Sequence, residues 1–267
     1  MDDLAARFAE DGFVHPIRVY PEPEIEALRR RFEAELRPLW RDPTQETDYT
    51  FQTHLLFPWL DAVIRHPPVL DAVAGLLGPD LLLWNSGFVV KPAGDGYFAS
   101  WHQDLTYWGL DPAHVVTAWL AFTSSTRANG CVRFVPGSHR LGLLPVVETR
   151  AKDNMLSRGQ AVILDDPESR AVAVELRPGE ISIHHGLTVH ASDPNRTDAD
   201  RIGMTMTYIR PDVRSRKGRD TASLVRGEYR FGHFDLAPPP IADLDRAAVA
   251  AHAAAARARM AVIQAPG

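Results

Sequence analysis

Cysteine is nearly absent from this sequence: Cys131 is the only one in 267 residues. A single thiol closes no intramolecular disulfide and builds no zinc–thiolate cluster, so any metal must be held by nitrogen and oxygen ligands. Lysine is scarce as well, with Lys91, Lys152 and Lys217 alone among 29 basic side chains, and the formal charge is -5. That balance argues against nucleic acid as the main partner. No apolar run approaches the roughly 20 residues that a membrane-spanning helix needs. The opening "MDDLAARFAEDGF" has neither the basic start nor the apolar stretch of a secretory signal. Together these absences lead us to expect a globular protein of the cytoplasm, with no membrane partner and its oligomeric state left open.

What is present is a chain that is 45% hydrophobic, enough for a sizeable core, and that carries 11 histidines. In "PEPEIEALRRRFEAELRPLW" the residues Ile25, Leu28, Phe32, Leu36 and Leu39 recur three or four apart, which predicts one apolar helix stripe opening at Pro21 to Pro23. A second helical region, "FPWLDAVIRHPPVLDAVAGLLG", is expected to break at Pro67 and Pro68 and to stop at Gly78 and Pro79. Beyond residue 80 the pattern changes to short β-rich runs between turn signals: "DLLLWNSGFVVKP", "HVVTAWLAF", "CVRFVPG", "QAVILDD", "AVAVEL", "GEISIHH" and "IGMTMTYI". Many short strands of this kind predict an antiparallel sandwich or barrel. The polar "ETRAKDNMLSRGQ" reads as a surface loop, and the alanine-rich "RAAVAAHAAAARARMA" as a terminal helix. We see no repeat and no linker, and therefore expect one domain over 1–267, with helices to about 79, a β core over about 80–212 and a helical tail over about 240–265.

The chemistry-bearing stretch is "SWHQDLTYWGL". On a strand, residues two apart share a face, so His102 and Asp104 would present an imidazole and a carboxylate side by side. An H-x-D triplet alone is more often a solvated polar face. A third ligand decides the case, and the residues themselves leave it open among His184, His185 and His190. Two histidines and one carboxylate on one face of a metal, with the other positions open, are the arrangement of non-haem Fe(II) oxygenases.

In order and spacing the chain resembles the phytanoyl-CoA dioxygenase family of Fe(II)- and 2-oxoglutarate-dependent oxygenases. The resemblance is carried by "FAEDGFVHP", "VVKPAGDG", "WHQDLTYW", "VVTAWLAF" and "NGCVRFVPGSH", and by His190-x-Ser192 with Arg201 eleven residues beyond the histidine. These motifs cover most of residues 8 to 210. The resemblance implies a mainly β fold with flanking helices around a double-stranded β-helix, the cupin-like jelly roll. It implies His102, Asp104 and His190 as iron ligands, and Arg201 as the partner of the distal carboxylate of 2-oxoglutarate. A guanidinium suits that role because it grips a carboxylate through two parallel hydrogen bonds. Ser192 and Trp119 match family positions bordering the cosubstrate. Where some members carry a bulky residue this chain has Gly87, and Asn85, its neighbour on the same strand face, is expected at the C1 carboxylate end of 2-oxoglutarate.

Phe98, Tyr107, Trp108 and Arg133 are expected to line the substrate pocket, which aromatic walls would suit for an apolar or a cationic ligand. The cofactors implied are Fe(II), 2-oxoglutarate and O2, and the substrate a small metabolite or biosynthetic intermediate. In related halogenases a small residue replaces the carboxylate ligand to make room for chloride; Asp104 therefore predicts hydroxylation. Desaturation or cyclisation, a non-redox metal-dependent jelly-roll enzyme, and a binding protein are the competing readings.

Overall fold

The computed structural model describes residues 2–40, 49–149, 151–156 and 159–264. Arg150, Ser157 and Arg158 of the expected surface loop, and Ala265 at the end of the expected tail, lie outside the described residues. In chain order the strands are β1 (Phe13–Arg18), β2 (Leu81–Lys91), β3 (Ala99–His102), β4 (Leu110–Asp111), β5 (Val115–Ala121), β6 (Val132–Phe134), β7 (Val146–Glu148), β8 (Gln160–Val162), β9 (Val172–Val174), β10 (Glu180–His185), β11 (His190–Ser192), β12 (Arg201–Ile209), β13 (Arg214–Ser215), β14 (Asp220–Arg226) and β15 (Phe234–Leu236). Each β-rich run picked out in the sequence coincides with one of them, β12 starting one residue before its run. The last three strands follow residue 212, where the sequence offered no comparable apolar run.

The helices obey their punctuation. One spans Pro58–Ile64 and the next Pro67–Leu77, each with proline in its first turn, and the second ends at Gly78. The stripe after Pro21 runs through a helix over Glu22–Arg31, a π-helical turn over Phe32–Leu36 and a short turn over Arg37–Trp40. Ile25, Phe32 and Leu36 are fully buried, whereas Leu28 and Leu39 are only half-buried. The wider π turn shifts the phase of the stripe, which the simple helical period does not anticipate. Among the described residues no helix is long and apolar enough to cross a membrane.

The chain folds into two compact units. The first is drawn from Met1–Ile25, Val89–Tyr107 and Trp119–Gly203; the second from Glu26–Phe88, Trp108–Ala118 and Met204–Gly267. In the first, β3, β11, β6 and β9 form an antiparallel four-stranded sheet in that order, β1 pairs with β10, and β7 pairs with β8. Phe13, Trp119, Ala121, Phe134, Val174 and Leu176 make its core cluster, with the Phe13 and Phe134 rings stacked at 4.8 Å.

In the second unit β14 pairs antiparallel with β2 and parallel with β15, and β4 pairs with β13. The helix over Arg246–Gln264 is held there by Arg259, whose guanidinium sits 3.6 Å from the Trp84 ring centroid and 3.1 Å from an Asp220 carboxylate oxygen. Trp84 Nε1 donates to the same carboxylate at 2.8 Å. A buried cation thus meets both an anion and an aromatic face, the pairing that makes its burial tolerable. Where this helix docks is not readable from its sequence, because its apolar face is mostly alanine and the anchor is a single arginine.

Candidate metal centre

In the first unit, β11 lies between β3 and β6, and its first residue, His190, is directly opposite His102 on one side and Phe134 on the other. Directly opposed residues on neighbouring strands bring their side chains together on one face. This register joins two histidines that are far apart in the chain, and their ring centroids are 4.0 Å apart. Asp104 arrives differently from the strand alternation expected for H-x-D. The strand ends at His102, and Asp104 opens the helical turn Leu105–Trp108, its carbonyl accepting from the Tyr107 N–H at 3.1 Å. The turn, rather than a pleat, swings the carboxylate back toward the imidazoles.

Nδ1 of His102 is 2.8 Å from the Ser100 carbonyl oxygen, and Nδ1 of His190 is 2.9 Å from that of Thr188. A carbonyl oxygen only accepts, so both Nδ1 atoms carry the proton and both Nε2 atoms present lone pairs. Asp104 Oδ1 is 3.7 Å from His102 Nε2 and 3.8 Å from His190 Nε2. One ligand atom from each of His102, Asp104 and His190 lies within 4.8 Å of the others. Burial lowers the pKa of both histidines, for His190 well below the ordinary value. For Asp104 burial acts upward, but His190, the His184 hydrogen bond and His102 outweigh it and hold the carboxyl well below the usual range. At neutral pH the set is therefore two neutral imidazoles and one carboxylate. That donor set, aimed at a common point from one side, fits a divalent iron with open positions.

Arg201 opens β12 and is fully buried, 1% exposed. Its Nη1 donates to the Gly130 carbonyl, its guanidinium lies 5.1 Å from the Trp119 ring centroid, and its Nε has no partner among the described residues. Gly130 holds φ +76°, and a Cβ there would run into the Asp193 carbonyl, so the acceptor for Arg201 depends on glycine. Burial depresses Arg201 to about 10, so it is still a cation at neutral pH. Among the described residues no carboxylate pairs with it. A buried guanidinium with unused donors fits an anionic ligand. Trp119 links this site to the metal centre, since it shares a core cluster with Phe134, whose ring is 5.6 Å from that of His190. Ser192 is buried two residues beyond His190 on β11.

The remaining expected site residues fall in several places. Tyr107 is buried in the turn that follows Asp104. Phe98 is half-buried and bridged to Asn154, donating to Asp153 O at 3.0 Å. Arg133 is bound to the Glu168 and Asp193 carboxylates and lies 5.1 Å from the Trp101 ring centroid. Trp108 and Asn85 belong to the second unit. There Trp108 packs on Trp84 at 5.0 Å, and Asn85 Oδ1 is buried with no hydrogen-bond partner among the described residues.

Three further residues neighbour the centre: His184, which the sequence offered as a candidate ligand, and Gln103 and Lys91, which it did not. His184 Nε2 is 3.2 Å from Asp104 Oδ2. Gln103 is fully buried, donating to the Gly142 and Leu187 carbonyls at 2.8 and 2.7 Å and accepting from the Leu144 N–H at 2.9 Å. Lys91 is fully buried, and its Nζ donates to the carbonyls of Ser192 and Asp193. The signal for the first was the histidine pair that closes the strand "EISIHH".

A two-histidine, one-carboxylate centre in a mainly β protein, with a buried arginine nearby, is the plan of the non-haem Fe(II) oxygenases. Residues 8–203 match the family described as Phytanoyl-CoA dioxygenase (PhyH). The chain belongs to this family of Fe(II)- and 2-oxoglutarate-dependent oxygenases, with a cupin-like jelly-roll fold whose sheets, among the described residues, do not close into a barrel. Among solved structures it is similar to the apo form of ThoJ, a non-heme monooxygenase, at 38% identity over 98% of this chain and 97% of that one, with a TM-score of 0.88. It is also similar to CytC3 with Fe(II) and alpha-ketoglutarate, at 26% identity over 87% and 91%, with a TM-score of 0.65. A probable phytanoyl-CoA dioxygenase of Caenorhabditis elegans is 31% identical over 163 residues, 58% of this chain. The match spans about half, 52%, of that relative's length.

Proposed function

We propose that this protein uses Fe(II), 2-oxoglutarate and O2 to hydroxylate an unactivated C–H bond of a small metabolite or natural-product intermediate. The balanced reaction converts substrate, 2-oxoglutarate and O2 into hydroxylated product, succinate and CO2. The observation that carries the reading is the convergence of His102, Asp104 and His190, each with one ligand atom within 4.8 Å of the others. In this reading those three residues hold the iron, Arg201 binds the distal carboxylate of 2-oxoglutarate, and Ser192 and Trp119 border it. The two Nδ1 hydrogen bonds keep each imidazole turned with its lone pair inward. Phe134, whose ring lies 5.6 Å from that of His190, gives the centre an apolar flank. Iron and 2-oxoglutarate bound there supply the oxidative decarboxylation that activates dioxygen. Asp104, a full carboxylate where a chloride-accepting site would need a small residue, supports hydroxylation over halogenation.

Anaerobic addition of Fe(II) and then 2-oxoglutarate should produce a visible charge-transfer band, and admission of air should yield succinate. Loss of neither on Asp104→Ala would refute the assignment. A product that has gained an oxygen atom supports hydroxylation, and one that has lost two hydrogens means desaturation or ring closure. A non-redox enzyme on the same scaffold has no use for the buried cation at Arg201, which supports the oxygenase reading.

A further inference from the structure

We infer that His184 is a positioning residue for the metal centre: it engages one oxygen of Asp104 so that the carboxylate offers the metal only the other. This inference rests on reading His102, Asp104 and His190 as iron ligands. The two oxygens of Asp104 have separate surroundings. Oδ1 faces both ligand Nε2 atoms, at 3.7 and 3.8 Å, while Oδ2 is 3.2 Å from His184 Nε2. A carboxylate only accepts, so the proton of this hydrogen bond sits on His184 Nε2. Its Nδ1 is buried without a partner among the described residues, which as a lone acceptor costs less than a buried unpaired N–H would.

The imidazole cannot easily turn away. It is 4% exposed, its ring lies 4.9 Å from that of Phe134 and 4.6 Å from that of His190, and β10 is paired with β1 through Phe13↔His184. Phe134 is in turn stacked on Phe13. In this apolar setting a hydrogen bond to a carboxylate is stronger than in water and harder to exchange for one. With Oδ2 occupied, Asp104 acts as a one-point ligand, and the remaining positions on the metal stay available for 2-oxoglutarate and dioxygen. Groups that orient a ligand from behind commonly change metal affinity about 10- to 100-fold when removed.

The test compares wild type with His184→Leu and His184→Gln. The glutamine Nε2 stands where the imidazole Nε2 stands and donates a hydrogen bond to the same oxygen. Fe(II) affinity is measured anaerobically by calorimetry without 2-oxoglutarate, and the charge-transfer band is recorded after 2-oxoglutarate is added. The inference expects His184→Leu to weaken Fe(II) binding about 10- to 100-fold and shift or weaken the band, and His184→Gln to restore both. A thermal melt accompanies each variant; should His184→Leu not fold, wild type against His184→Gln and His184→Glu, which removes the donor, gives the same comparison. Equal affinity and equal bands for wild type and the donor-less variants, with the fold intact, overturn the inference alone. Failure of wild type itself to bind Fe(II) overturns the functional reading beneath it.

Discussion

Gly203 lies against the face of Trp119 so closely that a Cβ at position 203 would overlap the indole ring. Gly203 stands two residues after Arg201 on β12, and the Trp119 ring is the surface over which the Arg201 guanidinium sits. Gly203→Ala must therefore push the indole, and the cation resting on it, out of place. Overpacking of this kind costs about 1–3 kcal/mol. The expected result is a lower midpoint in urea together with a raised KM for 2-oxoglutarate; a variant that loses stability but keeps its KM would separate Trp119 from the cosubstrate.

Arg201→Lys keeps the charge and discards the fork. Lysine cannot make two parallel hydrogen bonds to a carboxylate and also donate to Gly130 O from a planar group. Losing one charge-assisted hydrogen bond is worth about 1.5–3 kcal/mol, so the KM for 2-oxoglutarate should rise about 10- to 100-fold, with kcat much less affected. Steady-state kinetics with varied 2-oxoglutarate checks this. An unchanged KM would mean the cosubstrate sits elsewhere.

Gln103, between His102 and Asp104 in the H-x-D triplet, ties the strand end to Gly142, Leu144 and Leu187 by three hydrogen bonds. Gln103→Leu leaves two carbonyls and one N–H unsatisfied in the interior, an expected loss of about 2–4 kcal/mol. Gln103→Glu should be worse at neutral pH, because a carboxylate would then face two carbonyl oxygens. Chemical denaturation of the three proteins gives the order directly, and a Glu variant more stable than the Leu variant would contradict it.

The strands inside the seven β-rich runs, and the helix ends at Pro58, Pro67 and Gly78, were legible because β-rich composition and proline–glycine punctuation are local signals, whereas β13, β14 and β15 left no comparable run. His102, Asp104, His190 and Arg201 could be singled out from spacing and family resemblance, but the reason His102 and His190 meet could not. That reason is strand register, His190 opposite His102, and register is a property of pairs of segments. His184 was a candidate in the sequence, but its engagement of Asp104 was hidden for the same reason: the partner carboxylate comes from another segment of the chain. The π turn at Phe32–Leu36 and the anchoring of the terminal helix by Arg259 depend on tertiary contacts that no window of sequence contains.

Lys91 makes a pH prediction whose sign follows from its surroundings. Desolvation first, and repulsion from Arg201 second, depress its pKa from 10.5 to about 7, against smaller opposing effects of Asp193, Asp95 and Cys131. In the unfolded chain the lysine stays protonated to its ordinary pKa, so between about pH 7 and 10.5 the unfolded state binds more protons than the folded one. Raising the pH through that window releases the penalty of burying the charge, and this side chain's contribution to stability must increase. Below about pH 7 both states are protonated and the penalty is constant. Lys91→Met removes the titration along with the hydrogen bonds to Ser192 and Asp193. The stability of wild type relative to Lys91→Met, measured by urea denaturation across the window, should be flat in the acid range and move in favour of wild type toward alkaline pH. A difference independent of pH would mean that Lys91 keeps an ordinary affinity for its proton in the fold, and a difference moving the other way would mean that the folded protein stabilises the charge.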